Sequence, residues 1–137
     1  MNDAPHVLLV EDNELVTGAM QILFENAGYR VSIAPSIADA LGIGKADPAS
    51  LVLLDLTLPD GDGLALIDPL RASGSKTFVA LTGRDEPETR ERCLAAGCIE
   101  VLIKPVPARE LVARTSSFID AGPSQRDSWM HPDEDPR

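Results

Sequence analysis

The sequence predicts an α/β fold, a five-stranded, doubly wound (βα)5 domain over about residues 5–120. Two observations predict it: short aliphatic runs recur along the chain, and stretches with helical spacing and helix-end signals lie between them. Strands that alternate with helices imply right-handed crossovers and a parallel sheet with helices on both faces. A chain of 137 residues suits one such domain and is short for two.

The five predicted strands are short runs dominated by aliphatic side chains. They cover residues 7–10, 31–34, 51–54, 78–81 and 99–103. The run at 51–54 is aliphatic throughout, the pattern of a strand that is buried on both faces. Because aromatic residues make up only 4% of the chain, we expect a mainly aliphatic core.

The predicted helices carry apolar faces and end signals. Apolar or small side chains recur on one face of the first and last helices: Leu15, Ala19, Ile22 and Leu23, then Leu111, Thr115, Phe118 and Ile119. Ser36 can cap the second helix, and Pro87 suits the first turn of the fourth. Gly28 and Gly97 stand where the first and fourth helices should end.

Composition excludes several classes of function. The formal net charge of −10 argues against nonspecific nucleic-acid binding, which depends on Lys and Arg contacts with phosphates. No apolar run approaches the roughly 18 residues of a membrane span, and the first ten residues lack the basic start of a signal peptide. We therefore expect a cytoplasmic protein.

Two further features concern the organisation of the chain. Cys93 and Cys98 do not have the spacing of a zinc site, so we interpret them as buried small hydrophobic residues. Residues 121–137 have no periodicity and are rich in Pro and charge. They predict a flexible acidic tail after a domain over residues 1–120.

Polar residues follow four of the five predicted strands. Glu11 and Asp12 follow the first, Asp55 the third, Thr82 the fourth, and Lys104 with Pro105 the fifth. Taken alone, Asp55 could equally begin a turn. Because the carboxyl ends of parallel strands meet at one edge, where open α/β sheets bind ligands, we expect these side chains to lie together.

These residue types indicate phosphoryl chemistry. Three neighbouring carboxylates repel one another, so a cation is needed to keep them ionised. We expect Mg²⁺, a hard cation that prefers oxygen ligands. The ammonium of Lys104 and the hydroxyl of Thr82 can neutralise phosphoryl oxygens during an in-line transfer. Asp55 then has the role of nucleophile and forms an acyl phosphate.

With Pro59, Asp62 and Gly63 added, this set of residues resembles the receiver domain of two-component response regulators. The resemblance covers about residues 5–120 and implies a flavodoxin-like fold with strand order 2-1-3-4-5. It also implies that Asp55 is phosphorylated by a histidine kinase or a histidine phosphotransfer protein. A homodimer, where one forms, would use helix 4, strand 5 and helix 5.

The resemblance assigns a role to each site residue. Asp12, Asp55 and the backbone carbonyl of Thr57 would bind Mg²⁺, and Glu11 would reach the ion through water. Thr82 and Lys104 would contact the phosphoryl group. The Lys104–Pro105 peptide bond would be cis.

The sequence departs from the receiver pattern at one switch position. Receivers usually carry Tyr or Phe three residues before the Lys-Pro pair, and here that residue is Val101. We therefore expect any switch to act through the loop 82–88 and helix 4. Gly83 either leaves space beside the phosphoryl group or fills a tight turn, and Arg84 either shields the acyl phosphate, contacts a partner or is solvated.

The predicted function is a single-domain response regulator, not an enzyme, that signals by phosphorylation-dependent protein binding. One alternative is a receiver fragment of a larger regulator or hybrid kinase. A second is a small phosphatase of the haloacid dehalogenase type, although that family has a second Asp at the position where this chain has Thr57. A third is a degenerate receiver that binds partners regardless of phosphate.

Overall fold

The computed structural model describes residues 4–122, and within this range five parallel strands form one sheet. The strands are β1 (His6–Val10), β2 (Arg30–Ala34), β3 (Leu51–Asp55), β4 (Thr77–Thr82) and β5 (Glu100–Ile103), in the order β2-β1-β3-β4-β5. This confirms the predicted doubly wound fold and the flavodoxin-like strand order. Most of the predicted tail, residues 123–137, lies outside the described residues.

Five helices connect and cover the strands: α1 (Glu14–Asn26), α2 (Ile37–Ala46), α3 (Ile67–Ala72), α4 (Pro87–Ala96) and α5 (Ala108–Ala121). The predicted signals are present, since the Ser36 side chain caps α2 and Pro87 lies in the first turn of α4. None of the helices in residues 4–122 has the length and apolar character needed to cross a membrane.

The core has two halves, one on each face of the sheet. Leu8 and Val10 of β1 point to the half that α2, α3 and α4 cover, where Leu70 and Cys93 are buried. Val7 and Leu9 point to the half that α1 and α5 cover. This alternation explains why the β1 and β3 runs are aliphatic throughout: neighbouring side chains enter opposite halves of the core.

The predicted buried face of α1 is wrong. Leu15 and Ile22 are 87% and 60% exposed, whereas Thr17, Met20 and Phe24 are buried against the sheet. The helix carries two apolar stripes, and the bulky Met20 and Phe24 fill the space under it. The predicted face of α5 is correct at Leu111, Thr115 and Phe118, all of which are buried.

The buried cysteines and a short hairpin after β3 are two smaller features of the fold. Cys93 and Cys98 are both free and buried, as predicted. A two-residue hairpin, Thr57–Leu58 paired with Gly61–Asp62, and a 3-10 turn, Gly63–Leu66, follow β3 and had no counterpart in the prediction. This hairpin lies at the edge of the sheet where the predicted site residues end their strands.

Candidate functional site

The carboxyl edge of the sheet brings the predicted acidic residues together. Carboxylate oxygens of Glu11, Asp12 and Asp55 lie within 4.8 Å of one another. Glu11 and Asp55 are 3% and 7% exposed, whereas Asp12 faces solvent. The strands explain this placement, because β1 and β3 are paired in parallel and both end at this edge.

Lys104 joins two of these carboxylates. Its Nζ lies 2.9 Å from Oε1 of Glu11 and 3.1 Å from Oδ2 of Asp55. Partial burial by itself lowers the pKa of Lys104, but the hydrogen bonds to Glu11 and then to Asp55 outweigh it and hold the pKa above the ordinary value. Lys104 is therefore a fixed positive charge beside the carboxylate of Asp55.

The backbone holds the other oxygens of these carboxylates. The amide of Thr57 donates to Oδ1 of Asp55 over 3.1 Å, and the amide of Asn13 donates to Oε2 of Glu11 over 3.2 Å. Each carboxylate therefore has one oxygen on an amide and the other on Lys104. Their orientation is fixed before any ligand binds, which favours catalysis by preorganised groups.

Thr82 lies at the end of β4, next to this group. Its buried hydroxyl oxygen accepts a hydrogen bond of 3.0 Å from the amide of Arg84. The amide of Lys104 donates to the carbonyl oxygen of Thr82 over 2.7 Å, which ties the ends of β4 and β5 together. The Lys104–Pro105 peptide bond is cis.

The residues predicted to take part in a switch differ in burial: Val101 is buried, whereas Gly83 and Arg84 are exposed. Val101 is buried in the half of the core under α4, at 5% exposure. A Cβ atom at Gly83 would meet no atom within 4 Å, and its φ lies outside the left-handed region. The structure therefore supports open space at Gly83 over a turn that requires glycine. Arg84 is exposed and lines a cavity of about 330 Å³ together with Thr57 and Thr82.

Sequence reasoning missed the anchors of the hairpin. Asp60 accepts hydrogen bonds from the first amides of α2, at 2.8 Å from Ile37 and 3.1 Å from Ala38. Asp62 forms an ion pair with Arg92 of α4 at 2.7 Å. In the sequence, these acidic residues signal only a turn, because their partners lie more than 20 residues away.

The acidic group suits a hard divalent cation. The carboxylates of Glu11, Asp12 and Asp55 carry three formal negative charges, and Lys104 supplies one positive charge, which leaves two negative charges at the edge. All the gathered donors are oxygens, the type that Mg²⁺ prefers. The residues present therefore fit the ion that the sequence predicted.

Comparison with known proteins agrees with this geometry. The pattern of the response regulator receiver domain matches residues 7–116. The chain belongs to the response regulator receiver domain family. Receiver domains are signalling domains of two-component systems. Membership of this family therefore favours a signalling function over the small phosphatase considered from the sequence.

Relatives of this receiver domain include longer regulators. It is 34% identical over 114 residues to the TorCAD operon transcriptional regulatory protein TorR of Escherichia coli O157:H7, with 83% of this chain and 50% of TorR covered. The chain thus spans about half the length of the curated relatives it matches.

Solved receiver domains share its fold. The non-phosphorylated HemR receiver domain from Leptospira biflexa is 32% identical, with a TM-score of 0.76 and coverage of 84% of this chain and 94% of that one. The receiver domain of a sensor histidine kinase from Pseudomonas aeruginosa PAO1, with a magnesium ion coordinated in the active site cleft, is 27% identical with a TM-score of 0.71. The match covers 85% of this chain and 98% of the Pseudomonas receiver domain.

Proposed function

We propose that this receiver domain accepts a phosphoryl group on Asp55 from a sensor histidine kinase or a histidine phosphotransfer protein, and then binds a downstream protein in the cytoplasm. The observation that supports this most is the carboxylate of Asp55 itself. It lies at the carboxyl edge of the sheet, held by Lys104 and the Thr57 amide, beside Glu11 and Asp12.

The proposed transfer is a displacement at phosphorus. A carboxylate oxygen of Asp55 forms a bond to phosphorus while the bond from phosphorus to the imidazole nitrogen of the donor breaks. The imidazole keeps the electron pair of that bond and takes up a proton, and the product on Asp55 is an acyl phosphate. Lys104 and Thr82 stabilise the negative charge on the phosphoryl oxygens.

The residues proposed to hold Mg²⁺ are Asp12, Asp55 and the backbone carbonyl of Thr57, with Glu11 reaching the ion through water. When bound, the cation would supply positive charge to the phosphoryl oxygens. The magnesium ion in the cleft of the Pseudomonas receiver domain supports this assignment, as does the acidic group at the sheet edge.

Phosphate uptake from acetyl phosphate tests the proposal. With Mg²⁺ present, the wild-type protein should gain acid-labile phosphate, and Asp55→Asn should gain none, because an amide is a poor nucleophile. Asp120→Asn removes an exposed carboxylate on α5 and is the matched control. Wild-type protein without acid-labile phosphate, or Asp55→Asn with as much as wild type, would overturn the proposal.

A second candidate concerns the form in which the domain acts. The single-domain regulator predicted from the sequence binds a separate protein, whereas the length of TorR favours a receiver within a larger regulator. The two differ in the size of the cellular protein, which an immunoblot against this domain measures. A pull-down with and without beryllofluoride identifies the partner, and sedimentation of the same two samples tests the predicted homodimer through α4, β5 and α5.

A further inference from the structure

An ion pair connects helix α4 to the hairpin that follows the phosphoacceptor strand. Nη1 of Arg92 lies 2.7 Å from Oδ2 of Asp62, and the two residues are 30 positions apart in the chain. Within residues 4–122, no other side chain of α4 forms a hydrogen bond or ion pair with another helix or strand. This ion pair is thus the specific polar contact between α4 and the site.

The carboxylate of Asp62 is held on both sides. Its Oδ1 accepts a hydrogen bond of 2.9 Å from the amide of Leu64 and so caps the 3-10 turn, while Oδ2 binds Arg92. Partial burial raises the pKa of Asp62, but the hydrogen bonds from Arg92 and the Leu64 amide together lower it below its usual value. The charge of Asp62 is therefore present at neutral pH and fixed in direction.

Helix α4 presents a small apolar face to the core. The buried residues of α4 are Thr89 and Cys93, and Leu94 is its one large aliphatic side chain, partly buried. A helix with so small an apolar face has few contacts that fix its position. The ion pair with Asp62 therefore adds a directional contact to a helix that has little apolar packing.

A continuous set of contacts runs from Asp55 to α4. The Asp55 carboxylate accepts from the amide of Thr57, and Thr57 pairs directly with Asp62 across the hairpin. Asp62 then binds Arg92. Conversion of the carboxylate to an acyl phosphate moves the negative charge from the carboxyl group to the phosphoryl oxygens, which weakens the carboxyl oxygens as acceptors for the Thr57 amide. The hairpin, like Lys104, is thus in direct contact with the group that changes.

We propose that the Asp62–Arg92 ion pair carries the effect of phosphorylation at Asp55 to helix α4, in place of an aromatic side chain at Val101. This inference rests on the proposed function. Asp62 and Arg92 are positioning residues: neither reacts with the phosphoryl group, and both set how α4 responds to it. The exposed α4 surface is then the one that differs between the two states.

Hydrogen–deuterium exchange of residues 87–96, with and without beryllofluoride and Mg²⁺, tests the proposal. In the wild type the exchange of α4 should change on activation. In Arg92→Gln and Asp62→Asn that change should shrink by about threefold, the factor expected for a half-exposed ion pair. Asp62→Asn keeps an oxygen to cap the 3-10 turn, and Arg92→Lys keeps the charge and should retain part of the response.

Arg114→Gln is the matched control, because it removes an ion pair of similar exposure between α5 and Glu100. It should leave the α4 response unchanged. If Arg92→Gln and Asp62→Asn accept phosphate and keep the full wild-type change in α4 exchange, the proposed coupling is overturned and the proposed function is not. A wild-type protein that takes up no phosphate would overturn the proposed function, and the coupling with it. The two failures are therefore distinguishable.

Discussion

Gly63 lies directly against the backbone of Asp55, the proposed phosphoacceptor. A Cβ atom at this position would overlap the carbonyl oxygen of Asp55 and would lie 3.3 Å from Cδ1 of Leu54. The amide of Gly63 also donates to the carbonyl oxygen of Leu56 over 2.9 Å. The chain after the hairpin thus folds back against the end of β3, and only a residue without a side chain permits that approach.

Gly63→Ala should lower both stability and phosphate uptake. The methyl group must displace the backbone of Asp55, so we expect a loss of about 1–3 kcal/mol in the free energy of unfolding. Urea unfolding and uptake from acetyl phosphate measure the two effects. Gly42→Ala is the control, because Gly42 is exposed on α2 with no neighbour within 4 Å, and alanine there should stabilise by about 1 kcal/mol. A Gly63→Ala protein as stable as wild type would contradict this account.

Among the elements, α2 is notable because a distant loop caps it. Ser36 caps one amide at its start, and Asp60 of the hairpin accepts from the amides of Ile37 and Ala38. These amides carry the positive end of the helix dipole, where a carboxylate is stabilised. The hydrogen bond from Ile37 is the largest influence on Asp60 and holds its pKa below the usual value.

Asp60→Asn should reduce stability in a pH-dependent way. A carboxyl group with a folded-state pKa below its unfolded value stabilises the protein fully above the unfolded pKa, about 3.9. That stabilisation is lost as the pH falls through the lower folded-state pKa. The difference in melting temperature between wild type and Asp60→Asn should thus be constant above about pH 5 and shrink below pH 4. Asp120→Asn is the control, and a difference that grows in acid would refute the assignment.

At the scale of the whole domain, the buried carboxylates of residues 4–122 lie at one edge of a mainly aliphatic sheet. The aliphatic strands form the centre of the sheet, whereas Glu11, Asp12 and Asp55 meet Lys104 at its carboxyl edge. The buried Glu11 has lost most of its contact with water and depends on Lys104 for compensation. A divalent cation would therefore stabilise the folded state relative to the unfolded chain.

Mg²⁺ should raise the melting temperature, because the unfolded chain lacks the assembled site. At about ten times the dissociation constant the gain is about 1.4 kcal/mol. Asp12→Asn should reduce this gain. Lys104→Gln should enlarge it, because the variant loses the ammonium that compensates Glu11 and Asp55 and that repels the cation. NaCl at equal ionic strength is the control, and an equal rise with NaCl would contradict a specific site.

Local patterns in the sequence determined the strands and the residues near which the strands end. The order of the strands in the sheet followed from the resemblance to receiver domains. The positions of the strands follow from runs of neighbouring side chains, so the sequence alone predicts that Asp55, Thr82 and Lys104 lie at one edge of the sheet. The tertiary structure alone decided which stripe of α1 is buried and which helices anchor Asp60 and Asp62. Both depend on groups that are distant in the chain and come into contact only when the helices pack. A local sequence pattern does not predict such contacts.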